Sequence, residues 1–190
     1  MKSLVDYINE SLLEKQLEDV NFVIGRFQPF TLGHERCADY VFERTGKKTV
    51  LCVIDTKKAD DKHPFLTDDI KALLDTVCSQ SKSIVGWVLV KDADIVKNAE
   101  VLRSEGYNPV SWSCGTDRFE QYNRMAKGYG EQAGLSKDFK VYEIKRGDED
   151  ISATKVREAL KTGDIKTFEE CMPKYTHKYF KELKELIEKL

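Results

Sequence analysis

The feature that most constrains the fold is an alternation. The runs VNFVIG (20–25), TVLCVID (49–55), SIVGWVLV (83–90), PVSWSCG (109–115) and FKVYEIK (139–145) read as strands, each followed by a polar turn. Helical patterns lie between them near 33–45, 67–80, 92–106 and 117–128. Repeated β-α order calls for a parallel sheet covered on both faces, and such sheets bind ligands beyond the C-terminal ends of their strands. The expectation is an α/β fold: a parallel five-stranded sheet with helices on both faces, preceded by an N-terminal amphipathic helix (1–18) and followed by a C-terminal helical cap. The domain proper is placed at 19–162, with 163–190 as its helical extension, because the pattern after Arg146 is helical only.

A chain of 190 residues, 41% hydrophobic and 34% charged, is long enough to bury one good core. The net charge of -2 supplies no global basic field, so nucleic acid is not an expected partner. Five cysteines, Cys37, Cys52, Cys78, Cys114 and Cys171, are odd in number and widely spaced. They read as reduced thiols of a cytoplasmic protein, and no Cys/His spacing suits a metal held by protein ligands. The apolar runs are too short to cross a bilayer, and the N-terminus lacks the core and cleavage site of a signal peptide. Oligomeric state stays open, a homo-oligomer included. The polar segment TKKADDKHPF (56–65) reads as a loop.

Chemistry concentrates first in VIGRFQPFTLGHERC, residues 23–37. Gly25 ends a strand, Pro29 stiffens the connection, and Thr31 arrives at a helix start with His34 on the same side of the first turn. Helix starts collect anions through unpaired amides and the positive end of the macrodipole. Gly33, with no side chain, lets a ligand approach the backbone. The plainer alternative is a βα turn in which Gly33 packs helix on strand and His34 is a surface group. Neither a Walker A loop nor a GxGxxG fingerprint occurs.

A second concentration is DISATKVREAL, residues 150–160, where Ser152 and Thr154 open a helix and Arg157 follows one turn on. Hydroxyls, amides, dipole and cation would converge on an anion, although a capped surface helix also explains the hydroxyls. Directly after the fourth strand stand Gly115, Thr116, Asp117 and Arg118, readable as ligand contacts or as an Asp cap beside a solvated Arg. Trp87 and Trp112 fall in strand patterns, where core packing competes with stacking on a ring. His177 is expected at the surface of the tail helix.

The stretch GRFQPFTLGH resembles the H/T-x-G-H signature of the nucleotidylyltransferase superfamily, in the form seen in nicotinamide mononucleotide adenylyltransferases and phage nucleotidylyltransferases. ISATKVR is similar to that superfamily's I-S-x-T-x-x-R motif, WSCGTDR to its G-S/T-D segment, and KHPFLTDDIKALL to its N-P-F/L stretch with His63 in place of Asn. The resemblance implies a Rossmann-like sheet and a set of roles. His34 would stabilise charge at the reacting phosphate, with Arg26 and Thr31 beside it. Arg157, Ser152 and Thr154, with Ile151 and more weakly Lys155, would hold the leaving pyrophosphate. Gly25, Phe27, Gly33, Gly115, Asp117 and Arg118 would contact the nucleotide.

The implied activity is transfer of a nucleoside monophosphate from ATP to the phosphate of a small acceptor, an NMN-like nucleotide, with Mg²⁺ as cofactor. The alternatives are cytidylyl transfer to a phosphorylated alcohol or sugar, and non-catalytic nucleotide binding.

Overall fold

The computed structural model describes residues 17–145 and 151–189. Its strands are β1 (Glu18–Gly25), β2 (Thr49–Ile54), β3 (Ile84–Val90), β4 (Tyr107–Gly115) and β5 (Lys140–Ile144). They form one sheet in the order β3-β2-β1-β4-β5, and every neighbouring pair is parallel. From β1 the chain runs outward through β2 to β3, then returns to lay β4 on the other side of β1. The strand order therefore reverses between β1 and β4, whose C-terminal ends are Gly25 and Gly115. That crevice is where an open α/β sheet binds ligands.

The helices are α1 (Leu32–Thr45), α2 (Thr67–Gln80), α3 (Ile95–Ser104), α4 (Thr116–Tyr129), α5 (Ala153–Thr162), α6 (Ile165–Cys171) and α7 (Phe180–Glu188), with a 3-10 helix over Lys174–Tyr179. They divide between the two faces because side chains alternate along each strand. On one face Val23, Leu51 and Val53 meet Ala38 of α1, Leu73 and Leu74 of α2, and Val156, Phe168 and Leu183 of the C-terminal helices. On the other, Val20, Phe22, Val50 and Cys52 meet Ile95 and Leu102 of α3 and Tyr122 of α4. Trp112 is fully buried there, with its ring centroid 3.9 Å from Tyr122 and 5.1 Å from Phe22. Core packing is thus the role of Trp112. Trp87 is half-buried and donates through Nε1 to Asp75 Oδ1 at 2.8 Å.

Several expectations shift at element ends. The N-terminal helix expected over 1–18 falls mostly outside the described residues, but Glu18 already belongs to β1. Its N–H donates to Gly106 O at 3.0 Å, while Asp19 is held by Lys47 Nζ at 2.9 Å and Asn108 Nδ2 at 2.7 Å. These bonds draw the chain into the sheet. The fourth strand begins at Tyr107, ahead of the expected Pro109. Proline lacks the N–H a ladder needs, and the strand passes it through a register shift where Val20 faces Pro109 and Asn21 faces Ser111. The tail opens as the 3-10 helix instead of an α-helix. His177 is half-buried within it, with Nε2 3.0 Å from Met172 O, which corrects its placement at the surface. The turn expected over 147–150 lies outside the described residues. No helix among the described residues is long and apolar enough to cross a membrane.

Candidate active site

Thr31 is the N-cap of α1, in extended conformation. Its carbonyl accepts from the N–H groups of His34 and Glu35 at 3.0 and 3.1 Å. In return, the Thr31 N–H donates to Nδ1 of His34 at 3.0 Å, and Thr31 Oγ1 lies 3.1 Å from the same nitrogen. The imidazole therefore reaches back to its own cap, as a glutamate does in a capping box. A backbone N–H can only donate, so Nδ1 accepts and the neutral ring carries its proton on Nε2. The first turn of α1 thus sets His34 as an Nε2–H donor.

Two buried rings hold the imidazole in place. Phe27 meets it edge-on with centroids 5.0 Å apart, and Phe30 lies at 5.5 Å. Phe27 sits at φ 49°, a left-handed conformation that costs a non-glycine residue about 1 kcal/mol or more. Its ring overlies Gly25, where a Cβ would come to 3.5 Å. Gly33 faces the second motif: a Cβ there would stand 3.6 Å from Ile151 O and 3.7 Å from Ile151 Cγ2.

That second motif is the start of α5. Ser152 is its N-cap, accepting from the Lys155 N–H at 3.2 Å, so the capping alternative is realised for this hydroxyl. Arg157 donates through Nη2 to Thr154 Oγ1 at 3.0 Å and through Nη1 to Gln28 O at 2.8 Å. The second bond joins motifs 129 residues apart in the chain and brings the N-termini of α1 and α5 to the same end of the sheet. Partial burial lowers the Arg157 pKa from its usual value through desolvation, and a guanidinium remains charged there. Arg26, on the same loop, is exposed.

Across the crevice, Gly115 caps α4 at the end of β4. Asp117 and Arg118 follow on its exposed first turn, with Arg118 Nε 3.8 Å from Asp117 Oδ2 and Nη1 3.4 Å from Gln121 Oε1. A Cβ on Gly115 would fall 2.8 Å from Asp117 Oδ1, so the carboxylate folds back over the glycine. Beyond the ends of β2 and β3 opens a cleft of about 540 Å³ lined by Asp55, Lys57, Lys91, Lys97 and Asn98.

Two site features escape a sequence reading. Gln28, between Phe27 and Phe30 in sequence, is buried, and a buried amide needs partners, so a glutamine inside RFQPF was itself a signal. Glu35, next to His34, accepts a short hydrogen bond from Tyr175 of the C-terminal segment. Burial first, then the Glu35 contact, pushes the Tyr175 phenol far above its ordinary pKa.

An open parallel sheet with a histidine, an arginine and two helix starts at its switch point defines a nucleotide-binding α/β protein. The chain belongs to the cytidylyltransferase-like family, whose model matches residues 22–159, and through it to the nucleotidylyltransferase superfamily. Among solved structures it is similar to Plasmodium falciparum nicotinic acid mononucleotide adenylyltransferase complexed with APC, at 15% identity and a TM-score of 0.58 over 89% of this chain and 97% of that one. The same enzyme complexed with NaAD aligns at 14% identity, TM-score 0.58, with coverage of 89% and 97%. At such identity the likeness is one of fold. No curated protein matches the chain.

Proposed function

We propose that this protein is a nucleotidylyltransferase that moves AMP from ATP to the phosphate of a small, NMN-like acceptor and releases pyrophosphate. The observation that carries the reading is the 2.8 Å bond from Arg157 Nη1 to Gln28 O, because it joins the start of α5 to the loop that presents His34. The two solved neighbours, an adenylyltransferase complexed with APC and with NaAD, support an adenine nucleotide and a phosphorylated partner.

In this reaction an acceptor phosphate oxygen attacks the α-phosphorus. The new P–O–P bond forms as the bond to the β-phosphate oxygen breaks, and pyrophosphate leaves with that electron pair. The acceptor oxygen is already ionised, so no protein nucleophile or base is required. Catalysis reduces to holding two anions in line and neutralising the charge that grows between them. His34 donates from Nε2 to the α-phosphate, with Arg26 and Thr31 on the same group. Ser152, Thr154 and Arg157, with the first-turn amides of α5 and the Ile151 backbone, hold the leaving pyrophosphate. Gly25, Phe27 and Gly33 shape the wall behind it, Gly115 and Asp117 hold base and ribose, and Arg118 reaches a phosphate.

Among the described residues no group of three or more His, Cys, Asp or Glu converges as a metal cage. Mg²⁺ would enter with the nucleoside triphosphate and neutralise part of its charge.

The test is pyrophosphate release from ATP or CTP with Mg²⁺, against NMN, phosphorylated alcohols and phosphorylated sugars. Release from ATP with NMN is the expected result. Release only from CTP with an alcohol or sugar phosphate would move the assignment to cytidylyl transfer, and nucleotide binding without release from any pair would make the protein a sensor.

A further inference from the structure

Gln28 is 4% exposed, and its side chain closes on the 56–66 loop, with Nε2 3.5 Å from Thr56 Oγ1 and two bonds to the backbone of Phe65. Nε2 donates to Phe65 O at 2.7 Å, and the Phe65 N–H donates to Oε1 at 2.9 Å, the two-bond pattern of a strand pair. Phe65 ends the loop that leaves β2. At the base of that loop, Thr56 N–H donates to Thr67 Oγ1 at 2.8 Å and Thr67 Oγ1 donates to Asp55 Oδ1 at 2.8 Å. Its middle is an exposed turn, in which the Lys62 and His63 N–H groups donate to Asp60 Oδ1 at 2.8 and 2.7 Å. The backbone carbonyl of Gln28 meanwhile accepts from Arg157 Nη1. One residue therefore touches the guanidinium of the second motif with its main chain and the 56–66 loop with its side chain.

We propose that Gln28 is a positioning residue that couples nucleotide occupancy at Arg157 to the order of the 56–66 loop. This rests on the reading of the α1–α5 cradle as an ATP site. The physical reason is the lack of slack. Backbone and side-chain amide of Gln28 are both buried, and moving either would leave the N–H or carbonyl of Phe65 unpaired, which a buried setting penalises. An Arg157 drawn onto a triphosphate shifts the Gln28 carbonyl, and the loop shifts with it. Because Asp55 and Lys57 line the cleft beyond β2 and β3, a shift of the loop reaches that cleft.

The exposed Lys57, Lys58 and Lys62 make the loop a target for trypsin, so its opening can be read directly. The experiment compares wild type with Gln28→Met, which removes all three side-chain bonds, the two to Phe65 and the one to Thr56, at similar size, with and without saturating MgATP. Gln28→Asn, too short to reach Phe65 but still an amide, is the second variant should Gln28→Met fail to fold. ATP titration of each protein shows whether the cradle is filled. Wild type is expected to bind ATP and to be cut in the loop about five-fold more slowly when it does. The variants are expected to bind ATP within about two-fold of wild type and to lose that protection. Equal ATP protection in wild type and variants would overturn the coupling while leaving the ATP site standing. A wild type that binds no ATP would remove the cradle reading and the coupling together.

Discussion

The Thr31 N–H lies 3.0 Å from Nδ1 of His34, and this contact settles which ring nitrogen carries the proton. A hydrogen bond from the backbone cannot be inverted, so the first turn of α1 fixes the imidazole before any ligand arrives. Donors fixed in advance act on charge that develops in the transition state more than on ground-state binding.

His34→Ala is accordingly expected to lower turnover by about 10²–10³-fold. ATP affinity should change by only a few-fold, about 1 kcal/mol or less. Pyrophosphate release measured beside an ATP titration separates the two effects. An equal fall in both would reduce His34 to a binding group.

Thr31→Val keeps the backbone N–H that orients the ring and deletes only the hydroxyl. The expected loss of turnover is no more than about five-fold, the size of one net hydrogen bond. A loss as large as that of His34→Ala would show that the threonine hydroxyl stabilises the reacting phosphate as much as the imidazole does.

Arg157→Lys retains the charge but cannot fork to both Gln28 O and Thr154 Oγ1. The variant should lose about 1.5–3 kcal/mol of stability in urea unfolding, as expected for a charge-assisted hydrogen bond to a buried carbonyl. It should also bind ATP more weakly. Unchanged stability would mean that the Gln28 contact contributes nothing to holding the loop.

Asp19 joins β1 to the residues before β2 and to β4. Its carboxyl is held below the ordinary range, first by the hydrogen bond from Lys47 and then by that from Asn108. A carboxylate with a depressed folded pKa stabilises the fold above its unfolded value, about 3.9, and that contribution disappears as pH falls from there through the folded pKa. The Asp19 side chain is 42% exposed, so the contribution is at most about 1 kcal/mol and shrinks with salt. Asp19→Asn should therefore be less stable than wild type near neutral pH, with the gap closing below about pH 4. A gap that persists in acid would trace the effect to packing instead of charge.

Much of the fold was legible because its signals are local. Strand runs and helical patterns alternate over short windows, and Thr31, Gly33 and His34 fall within a single turn whose geometry follows from capping rules. Strand ends were less legible. Pro109 reads as a strand start, and only the pairing of β1 with β4 shows how a register shift carries the strand past it. Trp112 could be read two ways until Phe22 and Tyr122 closed around its ring.

What the sequence determined by itself is the order of elements and which side chains stand at two helix starts, since both depend on neighbours a few residues apart. Only the tertiary structure decided that β1 lies at the centre beside β4, and that Arg157 reaches back 129 residues to Gln28 while Gln28 reaches 37 residues forward to Phe65. The reason is physical. Such contacts come from burying two apolar faces against one sheet, and the partners of a buried amide are chosen by that packing, not by anything written beside it in the chain.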